Sequence, residues 1–489
     1  MIALGGAIGA GLFVGSGVGI AAAGPGIVLS YVGAGVLTVL VMRMLGEMSA
    51  AYPGSGSFAS HASRAWGPWA GLVAGWMYWA LLVVSVAAEA IGASRIVSGW
   101  LPGVPAWAWV ALFMALFTAG NLAGVRNFGE LEFWFAGVKV AAICGFIALG
   151  VAAVAGVLPG RSRISPLADL TAHGGPLPHG WHGVAVGLVA AVFAYGGLET
   201  VTIAAAECAD PVGAVRRAVR AVLWRVTAFY VGSMAVIVAV VPWDDPAVAT
   251  GPYAAAIGRI GVPGAARLMD AVVLVALLSA MNANIYGSSR MLHALAERGD
   301  APRLLGGGVR ALTVPKRTAD REPTAGDSTD RGVAGKSAAV LASAAFGFAS
   351  VALSLLWPRT VFPFLLNSIG TAILVVWVLI AASQLRLRRR LEQDCGQRPV
   401  VRMWGFPYLS WAALVAMAGV LVFMLADPGS RTQVLCTGAW TAVLLVAAEV
   451  RRRRRRRAVP AVGDRGDGGA DREAGQARSG EAGDPPRVG

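Results

Sequence analysis

The chain has 489 residues, 56% of them hydrophobic and 14% charged. A soluble domain carries roughly a quarter charged residues, so this composition reads as a polytopic membrane protein. The net charge of +14 lies in arginines between and just after apolar runs, a placement that argues for membrane surfaces and against nucleic acid. The four cysteines (Cys144, Cys208, Cys395, Cys436) show no CxxC spacing and no partnering histidines. Neither a metal site nor a disulfide framework is expected. No nucleotide loop or nucleophile–base pair appears, so the chain is expected to be neither an enzyme nor a cofactor protein.

No basic n-region precedes the first apolar run, so no cleavable signal is expected. Met1 stands at the edge of that run, which points to a start further upstream or a trimmed sequence. The run itself reads Leu4-Gly5-Gly6-Ala7-Ile8-Gly9-Ala10-Gly11-Leu12-Phe13-Val14-Gly15-Ser16-Gly17. Glycine costs about 1 kcal/mol against alanine in a helix interior. Backbone groups left unpaired in hydrocarbon are tolerated only inside protein or beside water. Two readings stand: an unwound point at 8–11 where bare backbone grips a ligand, or a close-packed glycine-rich helix.

A span needs about 20 mostly apolar residues. Spans are expected near 2–22, 26–45, 69–97, 104–124, 132–158, 182–206, 222–242, 268–294, 338–357, 361–383, 404–426 and 431–450, twelve in all. Arg64, Arg126, the group Arg216, Arg217, Arg220 and Arg225, and the cluster Arg386 to Arg390 fall in alternate loops. The run from Arg451 to Arg457 shares their side, so both termini are expected in the cytoplasm. That run reads as an anchor on anionic lipid. Residues 304–336 and 458–489 are too polar and aperiodic to build a core, and are expected to be unstructured.

Span six contains the second interruption, Phe193-Ala194-Tyr195-Gly196-Gly197-Leu198-Glu199. Five crossings separate it from the first, so the two broken helices enter the membrane from opposite sides. Paired interruptions of this kind point to an inverted-repeat secondary transporter with its site at the midplane. The expected units are 1–158 and 182–383, five helices each, with 404–450 appended and 451–489 as a basic, then disordered, tail. Free N–H groups at one half-helix suit a carboxylate, and free carbonyls at the other suit an ammonium. That pairing fits an amino acid.

These residues carry a family resemblance. Met1 to Gly17, Gly54-Ser55-Gly56-Ser57-Phe58, Phe133-Trp134-Phe135-Ala136-Gly137-Val138-Lys139-Val140, the stretch from Gly197 to Glu207 and the stretch from Leu278 to Pro302 resemble the amino acid–polyamine–organocation permeases. So do Phe364-Leu365-Leu366-Asn367-Ser368, Ser383-Gln384-Leu385-Arg386 and Met403-Trp404-Gly405-Phe406-Pro407-Tyr408. Within that superfamily the chain is most similar to the bacterial amino acid transporters, in their γ-aminobutyrate permease branch. The resemblance implies an all-α 5+5 inverted-repeat fold with discontinuous helices one and six. It implies import of γ-aminobutyrate or a similar small amino acid by proton symport with alternating access. The alternatives are an exchanger or sodium-coupled transporter on the same fold, or a non-transporting amino acid sensor. It places the substrate carboxylate against Ile8, Gly9, Ala10 and Gly11, and its amine against the carbonyls around Phe193, Ala194, Tyr195 and Gly196. The usual cytoplasmic N-terminal tail is missing, and Gly196 and Leu198 replace a polar residue and a threonine, which bears on selectivity.

Ionisable groups at membrane depth are functional candidates by default. Glu199 is expected to take part in proton coupling, or else to hold two helices together. Lys139, about 10 Å deep at 1.5 Å per residue, is expected where a coupling sodium would sit in sodium-driven relatives; the alternative is that it snorkels to the interface. Glu89 is a proton site, a pocket wall or a bundle contact. Asn282, with Asn284, either lines the pocket or joins helices. His173, His179 and His182 are read as solvated loop residues, not a zinc site.

Overall fold

The computed structural model describes residues 8–52, 58–123, 128–158, 173–199, 211–302, 305, 325–356, 361–394 and 401–458. Residues 1–7, the second loop at 53–57, residues 200–210 including the end of predicted span six, and the tail beyond 458 lie outside them. The described chain is helical throughout. Its first helices are α1 (Ala10–Phe13), α2 (Gly15–Ala23), α3 (Ile27–Ala51), α4 (Phe58–Trp66), α5 (Pro68–Trp100), α6 (Ala106–Leu122), α7 (Phe128–Ala155) and α8 (Gly180–Tyr195). They are followed by α9 (Pro211–Val240), α10 (Pro246–Thr250), α11 (Pro252–Ile260), α12 (Ala265–Glu297), α13 (Ala325–Leu356), α14 (Val361–Asp394), α15 (Tyr408–Ala426) and α16 (Pro428–Ala458).

Sequence punctuation sets many of these ends. Proline opens α5, α10 and α11 at the first helical turn, where its missing N–H costs nothing. Asp245 caps α10 by accepting the Ala247 N–H at 2.8 Å, as an N-cap carboxylate does. Among the described residues, seven segments are long and apolar enough to cross a membrane, the first of them running from Ala10 to Ala51. Shorter apolar helices lie at Ala106–Leu122, Gly180–Tyr195, Thr227–Val240 and Ser337–Ala349.

The core is built around α5. In its most apolar stretch 83% of residues are buried, against 22% in α15 and in α16. Helix α5 packs along α12 and against α14, while α8 lies against α2, α3 and α14. The appended pair, α15 and α16, presents Trp411, Val415, Val422, Leu435, Val443 and Val446 outward. A helix that is apolar all round but buries little is one that faces lipid.

Two features differ from expectation. Helix α13 starts at Ala325, inside the stretch expected to be unstructured, and α16 carries the arginine run on to Ala458. Arginine is a good helix former, and Arg451 is pinned by an ion pair to Asp300 and a bond to the Arg298 carbonyl. Helix α3 is likewise tied to remote chain. Its buried Glu47 accepts from Gln384 Nε2 at 3.0 Å, pairs with Arg388 at 3.1 Å, and takes the Met403 N–H.

Candidate substrate site

Of the stretch expected to be unwound at 8–11, Ile8 and Gly9 are non-helical, while Ala10 and Gly11 already belong to a helix. Gly9 stands outside the helix with φ −148° and ψ −145°, and α1 begins at Ala10. A single turn later Val14 separates α1 from α2. Ile8, Ala10 and Leu12 are fully buried. Helix α8 ends at Tyr195, and residues 196–199 form a turn in which Gly197 takes φ +93°. That value lies in the left-handed region, where glycine pays no steric cost.

The two interruptions meet. A Cβ on Gly11 would fall 2.6 Å from Ala194 Cα and 3.2 Å from the Phe193 carbonyl oxygen. Only glycine lets backbone approach backbone this closely. Phe193 lies with its ring over Gly15, and its carbonyl accepts the Gly196 N–H at 3.0 Å. The backbone predicted to bind substrate from both spans is thus brought together.

Each interruption has a carboxylate, from a different source. The Ala10 N–H donates to both oxygens of Glu89, at 3.0 Å each, and Glu89 comes from α5, 79 residues away. Any Cβ on Gly9 would collide with that carboxylate. At the second interruption the Gly197 N–H donates to Glu199 Oε1 at 3.3 Å. Glu199 is fully buried. The Tyr78 hydroxyl of α5 and the Trp377 indole N–H of α14 approach it, outside strict hydrogen-bond geometry.

Lys139 is also fully buried, so it does not snorkel to the surface. Its ammonium donates to Ser279 Oγ at 3.0 Å, and Ser279 donates to Glu132. Lys139 also acts electrostatically on Glu89. Tyr195 points away from the interruptions: its hydroxyl donates to the Tyr31 carbonyl at 3.1 Å, and its ring packs on Tyr230. Asn282 accepts from Asn121 Nδ2 at 2.9 Å, a contact that joins α12 to α6. The histidines are dispersed: His173 meets Asp244, His179 the Ala22 carbonyl, and His182 Asp427.

Sequence reasoning missed Glu132 and Ser279. Glu132 sits seven residues before Lys139, two helical turns, so the pair shares a face. That spacing was readable. Tyr78 and Trp377 carried no local signal, since large aromatics are abundant in every span.

The family described as "Amino acid permease" matches residues 1–461. The chain is 40% identical to the γ-aminobutyric acid permease of Bacillus subtilis (strain 168), over 93% of this chain and 92% of the relative. It is 43% identical to the aromatic amino acid transport protein AroP of Corynebacterium glutamicum, over 89% of each. To a probable GABA permease of Pseudomonas aeruginosa it is 43% identical, over 90% of this chain and 88% of the relative. With its apolar helices, this chain belongs to the amino acid permease family and is a multi-pass membrane protein, not an enzyme.

Proposed function

We propose that the protein imports a small amino acid across the bacterial inner membrane by proton symport. The twelve expected spans form a 5+5 inverted repeat over 1–158 and 182–383, with 404–450 appended and both termini in the cytoplasm. There the run from Arg451 to Arg457 rests on anionic lipid. One observation carries the reading: at the crossing of two interrupted helices, a backbone N–H already binds a carboxylate. Glu89 holds the Ala10 N–H in the way a substrate carboxylate would. A substrate that displaces Glu89 leaves that carboxylate beside Lys139, whose ammonium it then neutralises. Binding and the protonation state of the Lys139 region are thereby linked, as a symporter requires. Alternating access rocks one repeat against the other around this point.

The relatives named for γ-aminobutyrate and for aromatic amino acids define the substrates to try first. The test is uptake of radiolabelled amino acids into proteoliposomes holding the purified protein, with an imposed pH or sodium gradient. Accumulation of one probe under the pH gradient alone is the expected result. Uptake driven by sodium alone would overturn the proton reading, and no movement of any amino acid would overturn transport itself.

A further inference from the structure

Among the described residues, Lys139 is held from two directions, and one of them leads to the crossing of α1 and α8. On that side Glu89 of α5 acts on it while also binding the Ala10 N–H. On the other side its ammonium donates to Ser279 Oγ of α12, and that hydroxyl donates to the Glu132 oxygens, both at 3.0 Å. Lys139 is 0%, Ser279 1% and Glu132 2% exposed, so the group is sealed from bulk water. A buried charge needs a partner. An ion pair with a hydroxyl set between its members, however, offers more than pairing. The hydroxyl oxygen accepts from the lysine while its hydrogen points at the carboxylate, which is the geometry of a proton wire.

Helix α7 begins at Phe128, so Glu132 lies one turn from its start and Lys139 two turns deeper. Under the orientation proposed above, that start faces the cytoplasm. We propose that Glu132, acting through Ser279, carries the coupling proton between Lys139 and the cytoplasmic face. This rests on the symport reading. In the step, Lys139 Nζ gives one proton to Ser279 Oγ as the hydroxyl gives its own proton to Glu132. The products are a neutral amine, an unchanged hydroxyl and a carboxylic acid. Glu132 then releases that proton to water when alternating access opens the cytoplasmic end of α7. Among the described residues, the charged groups acting on Lys139 in this arrangement are Glu132 from its own helix and Glu89 from α5.

Proteoliposomes of wild type, Glu132→Gln, Glu132→Asp and Ser279→Ala decide it, with radiolabelled γ-aminobutyrate and phenylalanine as probes. Two rates are read: accumulation under a pH gradient, and one-for-one exchange with no gradient, which needs no net proton movement. Glu132→Gln and Ser279→Ala should lose accumulation at least tenfold and keep exchange within twofold. Glu132→Asp should restore accumulation with a shifted pH for half-maximal uptake. Wild-type accumulation in Glu132→Gln overturns the relay and leaves symport standing. Loss of exchange and accumulation together, in membrane-inserted Glu132→Gln and Ser279→Ala, also overturns it, because a purely structural ion pair would do that. If wild type exchanges but never accumulates under the pH gradient, the symport reading fails, and the relay with it.

Discussion

The two helix ends that meet at the crossing, the start of α1 and the end of α8, solve one problem in different ways. Each must satisfy backbone groups that a continuous helix would have paired internally. The first uses a carboxylate from another helix, Glu89, which spans 79 residues of chain to reach the Ala10 N–H. The second uses Glu199, two residues from the Gly197 N–H it accepts. A locally supplied acceptor moves with the segment it caps. A remote one must let go whenever the two helices part, so the first interruption is the one whose bond reports relative movement of α1 and α5.

Substitutions can break this contrast in graded ways. The largest effect is expected from Gly11→Val, which drives a branched side chain into the Ala194 backbone at 2.6 Å. Overpacking of this kind costs roughly 1–3 kcal/mol in a relaxed core, and more against two rigid backbones. Uptake should fall to background while the protein still inserts, and unchanged substrate affinity would mean that the crossing is only packing. Next comes Glu199→Gln. A proton-coupling carboxylate replaced by an amide should reduce concentrative uptake about 100-fold, on the order of 3 kcal/mol. Accumulation at the wild-type level would leave Glu199 a mere helix cap.

Glu89→Gln should act differently. Charge-assisted hydrogen bonds are roughly twice as strong as neutral ones, so an amide releases the Ala10 N–H more readily. Substrate affinity should rise about tenfold, by the usual 1.4 kcal/mol per decade, while accumulation falls. A drop in affinity would contradict displacement of Glu89 by substrate.

A titrating group away from both interruptions supplies a control. His61 on α4 is fully buried, with Ser49 Oγ 3.3 Å from Nε2. Burial, helped by Arg64, lowers its pKa from 6.5 to about 4. The unfolded chain therefore binds this proton between pH 6.5 and 4 while the folded chain does not. Stability should fall as pH drops through that window, by about 1.4 kcal/mol per unit. Thermal melts of His61→Gln should lose this slope, which separates acid effects on the fold from those on transport. The smallest effects belong to the glycine pair of span six. Gly197→Ala meets the left-handed penalty of roughly 1–2 kcal/mol. Gly196→Ala, whose Cβ would lie 2.7 Å from the flexible end of Ile373, should cost less. Melting both variants tests the order, and a reversal would mean that the positive φ at Gly197 is not required.

What the sequence disclosed follows the same division between local and remote. The helix end at Gly196 and the non-helical Gly9 were legible because glycine acts on its own backbone, and Glu199 because it adjoins that helix end. Lys139 was singled out by its depth together with the family resemblance, and Glu132 could have been found from the two-turn spacing on one face. Glu89 was readable as a buried carboxylate but its bond to Ala10 was not, since nothing near either residue encodes their meeting. Asn282 stood out as an amide inside a span and Tyr195 through the family resemblance; here the Asn282 Oδ1 and the Tyr195 hydroxyl bond to neighbouring helices. The arginine run read as a lipid anchor, and its helical continuation depended on Asp300, 151 positions earlier in the sequence.

The buried Glu47 carries a consequence for how the protein is made. Its partners are Gln384, 337 residues later, and the Met403 N–H, 356 residues later. At 5–20 residues per second, synthesis delivers the second of these roughly 20–70 s after Glu47 itself. Through that interval α3 carries a carboxylate with no permanent donor, and leaving such a group uncompensated costs about 3–5 kcal/mol. The nascent chain must keep that end of α3 wet, or sheltered by the insertion machinery, until α14 and the loop that follows it arrive to close it.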